Sequence, residues 1–228
     1  MRLLTGADPS DPAQDMARTG ELLRAVAAGI EEPLVRVFVP GPTVAFGRLD
    51  ARLPGYAAAH EAARAHGFVP LLRHAGGRAA AYDDGSVVIE RIDRSSSVAG
   101  GIEQRFAAMA AAVQAQLADA GVDVEIGELP GEFCPGRFSL HAGGIKLAGV
   151  AQRSVAGASL TTAAIAVTGG DRLRAVLIDV YAALGLDWAP ATAGSADAVA
   201  PGLTAAGVAA LAARAGRWEG QPMRRPGS

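Results

Sequence analysis

Short β-branched segments of this chain follow one another with only a turn between them, while other segments have the apolar spacing of helices. Strands are predicted over residues 34–39, 43–46, 68–73, 86–92, 122–126 and 159–167. Helices are predicted over residues 15–29, 56–66, 102–119 and 171–184. Because strands occur in pairs as well as between helices, a mixed sheet with helices outside fits better than a strict parallel array. We expect one α/β domain of the α+β type over residues 1–218, followed by a flexible C-terminal tail over 219–228.

Two polar residues are placed where they could cap helices. Asp15 lies at the start of the first predicted helix and is expected to cap it. Thr204 precedes the last apolar segment and is expected to cap a short final helix. The pair Gly143-Gly144 separates two extended segments and predicts a tight, hairpin-like turn.

Charge and cysteine content limit the classes of partner. The 228 residues carry 21 Lys and Arg against 23 Asp and Glu, which gives a net charge of −2, with no basic patch for nucleic acid. One cysteine cannot form an internal disulfide, which fits a reducing compartment. The first residues lack the apolar core of a signal peptide, and no apolar run approaches the roughly 18 residues that span a bilayer. We expect a soluble cytoplasmic protein without nucleic-acid or membrane partners.

The single cysteine and the single lysine lie in the same glycine-rich segment. Lys146 stands alone among 21 Lys and Arg residues, and Cys134 is twelve positions before it. A compact ammonium can be buried against a carbonyl or phosphate oxygen, which the larger arginine fork cannot do in the same way. A thiol near a fixed cation such as Lys146 or Arg137 ionises more readily and becomes a candidate nucleophile. The alternative is a small buried apolar cysteine.

A second glycine pair lies between basic residues in the segment 72–78. Gly76 and Gly77 would let a ligand approach the backbone, with Arg73 or Arg78 available for a phosphate or carboxylate. The spacing is that of neither a P-loop nor a dinucleotide fingerprint, and a simple glycine turn is the alternative. On the strand over 145–151, Gly149 leaves room beside Lys146 for a narrow channel that could hold an acyl chain. No metal-ligand spacing is present.

Three segments together carry a resemblance to a known family. They are residues 36–47, the loop Leu72-Arg-His-Ala-Gly-Gly-Arg78, and the segment from Cys134 to Arg153. In this order they resemble the lipoate–protein ligase A and octanoyltransferase family, part of the biotin/lipoate protein ligase superfamily. There a glycine loop covers the acyl group and a G-K-K-x-x-G-x-A-Q segment supplies a lysine. The resemblance implies a biotin/lipoate ligase catalytic domain, whose mixed sheet is largely antiparallel.

The same resemblance assigns roles to individual residues. Around Cys134 the sequence Glu132-Phe-Cys-Pro-Gly-Arg-Phe-Ser139 is similar to the cysteine-dependent, octanoyl-transferring branch, so Cys134 and Lys146 are expected to be catalytic. The residues expected to bind substrate are Arg73, His74, Gly76, Gly77, Arg78, Tyr82, Gly136, Gly149 and Ala151.

Three functions remain open at this point. An acyltransferase would move an octanoyl or lipoyl group between lipoyl-domain or H-protein-type carrier proteins through a Cys134 thioester, as a monomer without a cofactor. An ATP-dependent lipoate–protein ligase would instead use ATP, Mg²⁺ and lipoate, with Lys146 against an acyl-adenylate. The roughly forty residues after residue 185 favour the transferase, because many ligases carry a C-terminal accessory domain. His74 and Tyr82 depart from the family pattern, which keeps open a non-catalytic module that binds carrier or lipoate.

Overall fold

A computed structural model describes residues 1–95 and 97–214. The predicted tail over 219–228 and the last residues of the predicted domain lie outside the described residues. The strands are β1 (Arg2–Thr5), β2 (Leu34–Phe38), β3 (Thr43–Phe46), β4 (Val69–Leu72), β5 (Ala80–Tyr82), β6 (Ser86–Ser95), β7 (Glu125–Ile126), β8 (Leu140–Ala142), β9 (Ile145–Val155) and β10 (Gly157–Ala166). The helices are α1 (Pro12–Ala27), α2 (Tyr56–Ala65), α3 (Ile102–Asp119), α4 (Gly170–Leu184) and α5 (Ala205–Ala212).

Seven strands form the main sheet, in the order β1-β2-β6-β10-β9-β8-β7. The first pair, β1 and β2, is parallel. All the other neighbouring pairs in this sheet are antiparallel. The predicted mixed, largely antiparallel sheet flanked by helices is therefore confirmed.

A second, three-stranded sheet with the order β4-β3-β5 was not predicted. In it β3 pairs in parallel with β4 and antiparallel with β5. Residues 73–79, which contain the predicted glycine pair and are called the glycine loop below, connect β4 to β5. Since β5 contacts both β10 of the main sheet and α4, this small sheet holds the glycine loop above the main sheet.

The two faces of the main sheet have different environments. Val87 and Ile89 of β6 and Ile165 of β10 point to a core that also contains residues of α3 and α5. Alternate residues of the same strands, among them Val88 and Glu90, line a cavity on the opposite face. The alternation follows from the two-residue period of a strand. Other core clusters join the small sheet to α2 and α4 and pack α1 on the sheet.

Of the two predicted helix caps, one is confirmed and one is wrong. Thr204 caps α5 by accepting a hydrogen bond from the Gly207 amide, as predicted. Asp15 does not cap α1, because the helix begins at Pro12 and Asp11 accepts the capping bond from the Gln14 amide.

The Gly143-Gly144 pair makes the predicted hairpin turn. Its residues have φ values of +58° and +78°, and they connect the antiparallel strands β8 and β9. Two successive positive φ values are typical of a two-residue type I′ hairpin. The turn places Lys146 one residue into β9, facing the Cys134 segment.

Candidate active site

A cavity of about 720 Å³ lies between the main sheet, the glycine loop and the segment 133–139. Ten of the eleven predicted site residues line it: Arg73, His74, Gly76, Gly77, Tyr82, Cys134, Gly136, Lys146, Gly149 and Ala151. The floor consists mainly of small side chains of β9 and β10, including Ala164 and Ala166. Such a floor leaves space for an extended apolar group beside the thiol.

Arg78 is the predicted site residue that does not line the cavity. Its guanidinium is 3.3 Å from the Asp50 carboxylate, whose side chain is fully buried. Asp50 in turn accepts a hydrogen bond from the Gly47 amide. Arg78 therefore contacts a buried carboxylate beneath the glycine loop, and its role in substrate binding stays a prediction.

Cys134 has an unusual backbone conformation that its neighbours fix. Its φ is +43°, the one positive value at a non-glycine residue among the described residues. The Cys134 amide donates to the Tyr181 hydroxyl at 2.8 Å, and this hydroxyl donates to the Ala79 carbonyl at 2.9 Å. The Cys134 carbonyl accepts a bond from Lys146 Nζ at 2.8 Å. A strained residue of this kind costs about 1–3 kcal/mol and persists when surrounding contacts over-determine it.

The Cys134 thiol lies in an electropositive, half-buried position. Burial raises its pKa, but the positive charges of Arg73 and Lys146 and hydrogen bonds to the sulfur outweigh burial, so the pKa lies below that of an ordinary thiol. The Arg73 Nη2 to Cys134 Sγ distance is 3.4 Å. Arg137, the other cation expected near the sulfur, is 73% exposed and pairs with Glu103. The arrangement favours a reactive thiolate.

Lys146 is buried, with its side chain 3% exposed. Its Nζ donates to the carbonyls of Phe133 at 3.0 Å and of Cys134 at 2.8 Å, and lies 3.4 Å from Glu132 Oε1. Burial lowers the pKa of Lys146, and the negative charges of Cys134 and Glu132 oppose that effect without cancelling it. A β-carbon at Gly149 would lie 3.3 Å from Lys146 Cε. The room predicted at Gly149 is thus where the lysine stem lies.

The glycine loop covers the thiol closely. Gly77 has a φ of +99°, and a β-carbon there would overlap Arg73 Nη2 and lie 2.9 Å from Cys134 Sγ. Arg73 also donates to the Arg78 carbonyl at 2.6 Å, which curls the loop around the guanidinium. His74 Nε2 is 3.0 Å from the Met16 carbonyl, so the loop is attached to α1 as well.

Sequence reasoning missed a polar cluster in the cavity wall. Thr19 donates to Glu90 Oε1 at 2.7 Å, and the Arg36 guanidinium pairs with both Glu90 and Asp15. Burial raises the pKa of Asp15 and of Glu90, because the nearby Arg36 charge only partly offsets it. Burial also raises the pKa of the neighbouring Tyr82 hydroxyl, which therefore stays protonated. The signal that the sequence offered was a pair of opposite charges, Arg36 and Glu90, within two apolar segments that form neighbouring strands.

Residues 1–95 and 97–214 contain neither a candidate metal cluster nor a helix that could span a membrane. No group of three or more His, Cys, Asp or Glu side chains within those ranges could hold a metal ion. No helix in the same part of the chain is long and apolar enough to cross a membrane.

Comparisons with known proteins agree on one family. The model of the lipoyl protein ligase A/B catalytic domain matches residues 11–187. An octanoyl-[GcvH]:protein N-octanoyltransferase of Geobacillus kaustophilus (strain HTA426) is 37% identical over 175 residues, 77% of this chain and 62% of that protein. A lipoyl-[GcvH]:protein N-lipoyltransferase of Listeria monocytogenes serovar 1/2a is 27% identical over 172 residues, 75% of this chain and 62% of that protein. The chain thus spans about three fifths of the length of these curated relatives.

Solved structures share the fold. A crystal structure of a lipoate-protein ligase A bound with ATP superposes with a TM-score of 0.70, covering 92% of this chain and 81% of that one. Because the sequence identity is 21%, this likeness supports the architecture alone. It confirms the expected fold of a lipoate ligase catalytic domain.

Proposed function

Because this chain belongs to the lipoyl protein ligase A/B catalytic domain family, we propose that it is a protein acyltransferase. It would move an octanoyl or lipoyl group onto the lysine of a lipoyl carrier domain through a thioester on Cys134. The observation that carries this proposal is the thiol of lowered pKa between Arg73 and Lys146, facing a cavity with room for an acyl chain. The names of the relatives from Geobacillus and Listeria support the same chemistry.

In the first half-reaction the Cys134 thiolate attacks the carbonyl carbon of the acylated carrier. A sulfur–carbon bond forms, and the donor's carbon–nitrogen or carbon–sulfur bond breaks. The leaving amine or thiolate of the donor takes up a proton from solvent. The Arg73 guanidinium is 3.4 Å from the reacting sulfur and the Lys146 ammonium bonds to the Cys134 carbonyl, so their charges favour both the thiolate and the developing oxyanion.

In the second half-reaction the neutral amine of the acceptor lysine attacks the Cys134 thioester. The new carbon–nitrogen bond is the amide of the product, the carbon–sulfur bond breaks, and the amine releases one proton to solvent. The thiolate is a good leaving group here because its pKa is low. The free enzyme is regenerated without ATP or another cofactor.

The cavity supplies recognition of the acyl tail. Burial of each CH₂ is worth about 0.8 kcal/mol, so an eight-carbon chain is held far more strongly than an acetyl group. Gly77 and Arg73 lie beside the thiol, and with Gly76 they would close over the acyl head. Ala151 belongs to the small-residue floor along which the chain would lie, and Gly149 serves the site by leaving room for the stem of Lys146.

The remaining assignments belong to the same proposal. The donor would be an H-protein-type carrier, as the relatives' names indicate for those proteins. The acceptor would be a lipoyl domain, with the enzyme acting as a cytoplasmic monomer and with neither nucleic acid nor membrane as partner.

A transfer assay separates the proposal from its alternatives. Octanoyl-carrier and an unmodified lipoyl domain are incubated with the protein without ATP, and in parallel the lipoyl domain receives free lipoate, ATP and Mg²⁺. The transferase predicts acyl transfer in the first mixture, lost in Cys134→Ala. Modification in the second mixture alone, retained in Cys134→Ala, would establish the ligase. Binding of the acylated carrier with no turnover in either mixture would establish a non-catalytic module.

A further inference from the structure

Glu132 is a buried carboxylate beneath the cysteine segment, outside the cavity lining. Its side chain is fully buried. Its Oε1 accepts hydrogen bonds from the Gly136 amide at 2.9 Å and the Ser139 hydroxyl at 2.6 Å, and lies 3.4 Å from Lys146 Nζ. The Oε1 atom of Glu132 thus accepts two hydrogen bonds and also pairs with an ammonium. Since Glu132 does not line the cavity, any influence on the reaction must pass through these neighbours.

The backbone around Cys134 is tied at both of its ends. Glu132 bonds to the amide of Gly136, four residues later, and so closes a short loop around the cysteine. Lys146 bonds to the carbonyls of Phe133 and Cys134 inside this loop. The positive φ of Cys134 is therefore held by a lysine and a carboxylate that also contact each other. Displacement of either would release the strained residue.

The charges depend on each other in the same way. A buried ammonium or carboxylate is stable when it is paired, and removal of one partner leaves an uncompensated charge. The Glu132 carboxylate opposes the lowering of the Lys146 pKa by burial. The Lys146 ammonium in turn opposes the effect of burial on the Cys134 thiol. Loss of the Glu132 charge should thus favour neutral Lys146 and remove a cation from the thiol.

We propose that Glu132 is a positioning residue that sets the reactivity of Cys134 by holding the Lys146 ammonium and the cysteine loop in place. The consequence for acyl transfer rests on the function proposed above. The effect on the thiol does not, because alkylation of Cys134 can be measured without any acyl substrate.

Glu132→Gln tests the charge with the shape retained. A glutamine oxygen can still accept from Gly136 and Ser139, whereas the negative charge is gone. We expect the rate of Cys134 alkylation by iodoacetamide to rise at a higher pH than in the wild type. Acyl transfer should fall about tenfold in kcat with KM changed less than about twofold, since Glu132 contacts no substrate. An unchanged alkylation profile in a folded Glu132→Gln protein would overturn the proposal.

A double-mutant cycle with Lys146 keeps the test decisive if Glu132→Gln folds poorly. Lys146→Met leaves the Glu132 carboxylate buried beside an apolar group, and adding Glu132→Gln removes that isolated charge. The double variant should therefore be more stable in urea than Lys146→Met alone, and the two should have the same alkylation profile. Independent effects of the two substitutions on that profile would show that Glu132 does not act through Lys146. If transfer is absent but the alkylation results hold, the proposed function has failed and the role of Glu132 stands.

Discussion

Replacing Gly77 by alanine should separate the thiol from the guanidinium that activates it. The new methyl group would overlap Arg73 Nη2 and lie 2.9 Å from Cys134 Sγ. Both neighbours are side-chain ends, so they can move, and the fold should survive. Arg73 would have to leave its position 3.4 Å from the sulfur. The substitution thus acts on a contact that the proposed reaction needs.

The size of the effect follows from two contributions. The φ of +99° at Gly77 is unfavourable for a residue with a β-carbon, which costs about 1–2 kcal/mol of folding free energy. Loss of a hydrogen bond to a charged group costs about 1.5–3 kcal/mol. Each 1.4 kcal/mol, roughly, added to an activation free energy slows a reaction tenfold. A thiolate of higher pKa is also a better nucleophile, which returns part of the loss. We expect Cys134 alkylation at neutral pH to slow by about tenfold.

The assay is the pH dependence of Cys134 alkylation, followed by intact-protein mass, together with urea unfolding. Gly76→Ala is the matched control, because its β-carbon would meet one atom, the Gln152 carbonyl oxygen at 3.8 Å, and its φ is not positive. The control should keep wild-type stability and thiol reactivity. If Cys134 is alkylated as fast in Gly77→Ala as in Gly76→Ala at neutral pH, the contact between Arg73 and the sulfur does not activate the thiol.

Three other changes test the stability and pH behaviour of the fold. Tyr181→Phe removes the acceptor of the Cys134 amide and should lower the free energy of unfolding by about 1–3 kcal/mol in urea; no loss would show that the hydroxyl does not fix this loop. Burial raises the pKa of Glu90, so the stability it contributes is present at low pH and is lost as pH rises through the folded-state pKa. Glu90→Gln, which leaves Arg36 its other carboxylate, should therefore lose less unfolding free energy than the wild type as pH rises above about 4, the pKa of an unfolded glutamate; equal losses would refute this assignment. Leu117→Ala, at a fully buried site, should cost about 2–5 kcal/mol in urea, and a cost below about 1 kcal/mol would contradict the described core.

Elements with a strong local pattern were predicted well from the sequence. Helix α3 has the predicted bounds, 102–119, because its apolar residues recur at helical spacing over five turns. The β8–β9 hairpin follows from two adjacent glycines, which adopt positive φ at no steric cost. The cap of α1 was placed wrongly at Asp15, although Asp11 before Pro12 has the usual form of a helix start.

The small sheet could not be predicted, because its pairing is not local. Strand β4 has four residues and contains Pro70, and its partner β3 lies more than twenty residues earlier in the chain. Short strands of this kind carry a weak pattern, and their stability comes from packing against α2 and α4. The glycine loop was therefore visible as a motif, while its position above the thiol was not.

The sequence indicated the reactive residues of the candidate site better than the residues that hold them in place. Cys134 and Lys146 stand out because the chain has one residue of each type, and both line the cavity. The partners that control them come from distant segments: Arg73 is 61 residues and Tyr181 47 residues from the cysteine. Glu132 is near in sequence but has no signal of its own, since a glutamate before a loop is ordinarily exposed.

Intact-protein mass would show whether Cys134 carries the acyl group during transfer. The purified chain is incubated with octanoyl-carrier protein without ATP, then divided and treated with or without hydroxylamine. We expect the chain to gain the mass of one octanoyl group, which hydroxylamine removes and which Cys134→Ala does not acquire. If the chain never gains this mass, yet an added carrier domain is acylated once ATP and free lipoate are supplied, Cys134 does not carry the acyl group.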